Sequence, residues 1–81
     1  MLETINEPIE VVARFSKDQV IPEKFIWHGR AIVVTKLNLT YSRFEGRVKF
    51  YFFAVSDSTN YFKLQFNTEN LTWTLLEVFS E

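Results

Sequence analysis

Any chemistry in this chain has to begin with one imidazole. His28 is the only histidine among 81 residues and there is no cysteine, so the ordinary spacing of a zinc site cannot be assembled. A nucleophilic triad would need His28, one of Ser16, Ser42, Ser56, Ser58 or Ser80, and Asp18 or Asp57. No spacing favours any of these combinations, and no strand–elbow–helix pattern presents a nucleophile. The two glycines, Gly29 and Gly46, do not form a phosphate-cradling loop. Glu3, Glu7 and Glu10 are paired carboxylates only in sequence, and on a tail and first strand they read as solvated charges. His28, set in Trp27-His28-Gly29-Arg30, reads as a turn histidine with one ring nitrogen in water, the alternative being an anion contact shared with Arg30. The expectation is a chain that is not an enzyme and holds neither a metal nor a cofactor.

The richer constellation interleaves cations with aromatic rings: Arg30, Tyr41, Arg43, Phe44, Arg47, Lys49, Tyr51 and Phe53. Cationic grooves with aromatic faces hold single-stranded nucleic acid, each stacked base contributing roughly 1–3 kcal/mol. Strand alternation puts Lys49, Tyr51 and Phe53 on one face. Arg30, Arg43, Arg47 and Lys49 are therefore the candidate nucleic-acid contacts. The competing reading makes Tyr51 and Phe53 core residues and leaves the cations to solubilise a hairpin end. A third reading gives Tyr51 and Phe53 to a protein interface, since an aromatic face rimmed by charge is what docking modules present.

The run Arg47-Val48-Lys49-Phe50-Tyr51-Phe52-Phe53-Ala54-Val55 sharpens that question, because from Phe50 onward it is apolar on both faces of any strand. Such a strand sits deep in a fold or against a partner. Nine Phe, three Tyr and two Trp are many rings for a small sheet to hide, which favours an interface. Net charge is −1, but residues 14–49 carry eight Lys or Arg against three acids, between acidic ends. A dipolar surface is one outcome, and strands that scatter these charges over several sides are the other. No basic start with an apolar stretch marks a signal peptide, and no apolar run is long enough for a membrane helix. With the absence of cysteine, this leads to the expectation of a cytoplasmic protein.

The elements that must position these residues alternate with period two. Phe62, Leu64 and Phe66 share one face of a strand from Tyr61 to Asn67, and Leu71, Trp73 and Leu75 one face of the next. Residues 30–43 read as one long strand, Ile9 to Phe15 as a first, and Phe25 with Trp27 as a short second. Tight turns are expected at Glu45-Gly46, at Asp57-Ser58-Thr59-Asn60 and at Asn67-Thr68-Glu69-Asn70, and a tight turn or a bulge at Gly29. Only Ser16 to Ile21 reads as a longer loop. The fold class is all-β: a small antiparallel meander of about six strands, with long strands that bend to serve two layers of a barrel or roll, SH3-like or OB-like. Residues 1–81 form one domain, with 1–6 as a candidate flexible tail.

The order Pro22-x-x-Phe25-x-Trp27-x-Gly29-Arg30, Tyr61-x-x-Leu64-x-Phe66 and Trp73-x-Leu75 resembles a small bacterial domain family of unknown function, over about residues 7–79. Some members of that family occur near genes for translesion polymerases. The resemblance implies a DNA-linked accessory role and assigns no catalytic or binding residue. Taken with the residues, the leading expectation is an interaction module that binds a protein partner or a second copy through an aromatic hairpin. Nucleic-acid binding through the basic residues of that hairpin is the alternative.

Overall fold

Alternation carries nearly every residue into a strand. The computed structural model describes residues 1–80, with seven strands: β1 Leu2–Ser16, β2 Gln19–Trp27, β3 Arg30–Val33, β4 Lys36–Glu45, β5 Val48–Ser56, β6 Asn60–Asn67 and β7 Thr72–Ser80. All pair antiparallel in one sheet of order β3-β2-β1-β7-β6-β5-β4. Every pairing but one joins consecutive strands, as short connections require. The exception is β1 with β7, which brings the ends of the chain together in the middle of the sheet. None of the described residues forms a helix long and apolar enough to cross a membrane.

Local chemistry sets the turns. Glu45 pairs with Val48 around Gly46-Arg47, and Gly46 has φ of 62°. A positive φ at the first central position, where Gly is the usual residue, marks a type II′ hairpin. The Asp57 carboxylate accepts the backbone N–H of Thr59 at 2.8 Å and of Asn60 at 2.7 Å. Burial alone would push the Asp57 carboxyl up, but these hydrogen bonds, with one from the Thr59 hydroxyl, together outweigh it and hold its pKa below the usual value. Asn67 accepts the N–H of Glu69 at 2.9 Å in the same way.

Three sequence expectations are corrected. The stretch Ser16 to Ile21 is no longer loop: Ser16 pairs with Gln19 across a turn of Lys17-Asp18, with Lys17 at a φ of 53°. Residues 1–6 are no flexible tail, because Leu2, Glu3 and Thr4 pair with Phe79, Val78 and Glu77, and the Met1 amino group donates to the Ser80 carbonyl. Leu71 leaves the face it was assigned with Trp73 and Leu75; it closes the β6–β7 turn at a φ of 62° and is exposed.

The core fills one side of the sheet, which curls over it as an open roll. Phe53 and Val55 of β5, Phe62, Leu64 and Phe66 of β6, and Trp73, Leu75 and Val78 of β7 are buried against Phe25 of β2 and Ile32 of β3. Phe25 meets Phe62 edge-on at 5.1 Å, and Trp73 lies 4.6 Å from Phe66 and 5.5 Å from Phe53. Such aromatic pairs are each worth about 0.5–1.5 kcal/mol beyond their buried area.

The expected long strand from residue 30 is a strand path with a corner. The N–H of Val34 donates to the Glu23 carbonyl at 2.9 Å, and that of Thr35 to the Ser56 carbonyl at 2.9 Å. The chain thus leaves β2 and joins β5 within two residues, tying one sheet edge to the other. From that corner the edges separate. Among the described residues β3 pairs only with Lys24–Trp27 of β2, so the start of β2, Gln19 to Pro22, has no described strand on that side. β4, the last strand of the sheet, pairs only with β5. Pro22, which has no N–H to offer a ladder, suits such an edge.

Candidate interaction surface

β4 is the outlier of the sheet: all ten of its residues are exposed. They include Leu37, Leu39, Tyr41 and Phe44, the last at 65 %. A two-residue turn makes its flanking pair, Glu45 and Val48, a hydrogen-bonded one. Backbone groups of Glu45, Arg43 and Tyr41 then face β5, and those of Phe44, Ser42 and Thr40 face the open edge. The Lys49 carbonyl agrees with this parity, since it points across to β6 and accepts from the N–H and hydroxyl of Thr68 at 3.2 and 2.7 Å.

The two faces of the aromatic run part as the alternation requires. Tyr51, Phe53 and Val55 face the core. Phe53 is fully buried, so the expectation that it presents an exposed partner surface is corrected. Tyr51 is half-buried and packs against the core, with the Lys49 ammonium 5.0 Å above its ring. On the outer face Phe52 is also buried, at 2 % exposed. Its cover comes from within the chain: Tyr41 stacks on it at 5.0 Å with planes 14° apart, the Arg43 guanidinium lies 4.9 Å over its ring, and the Lys63 ammonium 5.8 Å. A two-faced apolar strand is thus satisfied by its own neighbours. Exposed apolar side chains lie on β4, at Leu2, Tyr61 and Phe79 further along the outer face, and also at Val12, Phe15, Ile26 and Val33 of the first three strands.

The four candidate nucleic-acid contacts do not converge. Arg43 projects from the outer face, Lys49 from the inner face, and Arg47 lies in the turn between them. Arg30 opens β3, opposite Trp27 on the other edge strand. Arg43 and Lys49 each rest on rings of the hairpin itself, Lys49 also reaching within 5.9 Å of Phe44.

His28 finds a partner that the sequence reading did not give it. Its Nε2 lies 3.2 Å from Glu7 Oε1, the same oxygen that accepts the Trp27 indole N–H at 3.0 Å. His28 stacks on Trp27 at 4.5 Å. Glu7, its side chain still half-exposed, shares odd parity with Ile5, Ile9, Val11 and Ala13, the residues of β1 that pack on the core. The cluster staples the β2–β3 turn to β1. Among the described residues no three of His, Asp and Glu come together as metal ligands.

Between the separated edges lies a cavity of about 210 Å³. Its walls are Val20 and Ile21 of β2, Leu37 and Thr40 of β4, and Tyr51 and Phe53 of β5, with Asp18 and Gln19 at the rim. Comparison with known protein families, curated proteins and solved structures finds no match for this chain.

Proposed function

We propose that this chain is a non-enzymatic interaction module that associates with a protein partner through the β4–β5 hairpin, in the cytoplasm. The supporting observation is β4: an edge strand exposed along its whole length, apolar at Leu37, Leu39, Tyr41 and Phe44, with no strand on its open side. Long apolar edges invite strand pairing, and proteins without a use for them blunt them with bulges, prolines or inward charges. β4 has one bulge, between Leu37 and Leu39, and the charges of Lys36, Arg43 and Glu45, but no proline.

A photo-crosslinking residue placed at Ser42 and, in a control, at Val12 of β1 tests this in cells that make the protein. A discrete adduct from position 42 and none from position 12 is expected. No adduct from position 42, with the protein sedimenting as a monomer, would overturn the reading.

Nucleic acid remains the second reading, because the hairpin from Lys36 to Lys49 carries four cations against the single carboxylate of Glu45. Anisotropy titration with labelled single-stranded DNA at about 50 and 200 mM salt separates the two. Phosphate contacts give binding that collapses at the higher salt. Arg47→Glu should then weaken binding and flatten the salt slope.

A further inference from the structure

We infer that the slot between β4 and the start of β2 accepts an extended, acidic peptide strand from another protein, with one apolar side chain seated in the cavity below; this rests on the association reading above. Three observations converge on the slot. The backbone groups of Thr40, Ser42 and Phe44 face its open side, which is what strand addition uses for affinity. The cavity opens beneath the same strand, walled by Val20, Ile21, Leu37, Thr40, Tyr51 and Phe53. An apolar cavity of about 150 Å³ holds a benzene ring, so about 210 Å³ suits a Phe or Leu side chain. Strand alternation sends every second side chain of an added peptide inward to that cavity and the others outward.

Charge selects the occupant. Lys36, Arg43, Arg47 and Lys49 lie on the hairpin against Glu45, which pairs with Arg43 at 3.4 Å, and Asp18 stands at the opposite rim. A second copy docking β4 on β4 would bring two such cationic hairpins together, and like charges facing each other disfavour that pairing. Acidic residues at the outward positions of a foreign strand would meet Arg43 and Lys36 instead.

The test uses the whole chain and a fluorescein-labelled nonapeptide that alternates Glu with Val about a central Phe, read by anisotropy. Binding at roughly 10–100 µM is expected. Exchanging Glu for Lys in the peptide, or the central Phe for Ala, should each weaken it about tenfold. Ser42→Pro removes an N–H from the open edge without breaking the β5 ladder, so it should weaken binding about tenfold while the urea midpoint stays near wild type. Thr40→Trp, which fills the cavity from an exposed position, gives the same result by a second route. Equal binding of the Lys peptide would overturn the charge argument, and wild-type affinity in both variants would overturn the slot. No peptide binding with a concentration-dependent dimer would sink this inference and keep the association reading. No peptide binding by a monomer that retains oligothymidylate would sink both.

Discussion

β4 and β6 flank the same strand, pair with it over its length, and are built from similar residues, yet they end in opposite environments. β6 buries Phe62, Leu64 and Phe66 to 4 % or less, whereas β4 leaves Leu39 at 55 % and Phe44 at 65 %. Composition does not separate them. What does is the chain that lies across the roll: β6 faces Phe25 and Phe15 of the opposite wall, while β4 projects past the corner at Val34–Thr35 over the slot. Period-two pattern reports which side chains share a face, and the far wall decides whether that face is dry.

Four substitutions sharpen the contrast, each read as a shift in urea-unfolding free energy. Phe53→Ala, on the inner face between the two strands, should cost about 3–5 kcal/mol. Gly46→Ala, in the turn that starts β5 from β4, meets no atom within 4 Å. Its cost is therefore the left-handed backbone alone, about 1–2 kcal/mol. Asp57→Ala, in the turn between β5 and β6, should cost about 1 kcal/mol through its lost hydrogen bonds. Leu39→Thr on β4 should stay within about 0.5 kcal/mol; a loss near that of a buried leucine would break the contrast outright.

Asp57 also carries a pH signature. Its folded pKa is depressed, so the unfolded chain takes up the proton first as pH falls. The stabilisation is complete above the unfolded value, about 3.9, and is lost as pH falls through the lower folded one. The difference in stability between wild type and Asp57→Ala should accordingly shrink below about pH 4.

Much of this architecture was legible residue by residue. Asn67, Asp57 and Gly46 are turn formers for local reasons, and all three turns stand where those residues put them. The faces of Phe62, Leu64 and Phe66 follow from alternation alone. Bulges were not legible. One unbroken alternation from residue 30 puts Leu37 and Leu39 on the same face, but the register shift between them turns Leu37 toward Val55 and Leu39 toward Ala54, on opposite faces. The aromatic run suggests a partner for both faces, and the stack of Tyr41, Arg43 and Lys63 over Phe52 supplies a cover from the two flanking strands. Glu7 is legible by parity, although Glu3 and Glu10 on either side carry the same charge.

The seam between β1 and β7 has a kinetic meaning. Each remaining strand pair is local, so β1–β2–β3 and β4 through β7 are two meanders that form by short loop closures. Only the seam, with contacts such as Leu2 to Phe79 and Ile9 to Trp73, must close nearly the whole chain. Its loop closure is the longest among the strand pairings of the fold. Docking of the two meanders along that seam is the step expected to limit folding, and amides on β1 and β7 should exchange with solvent together, as one cooperative unit.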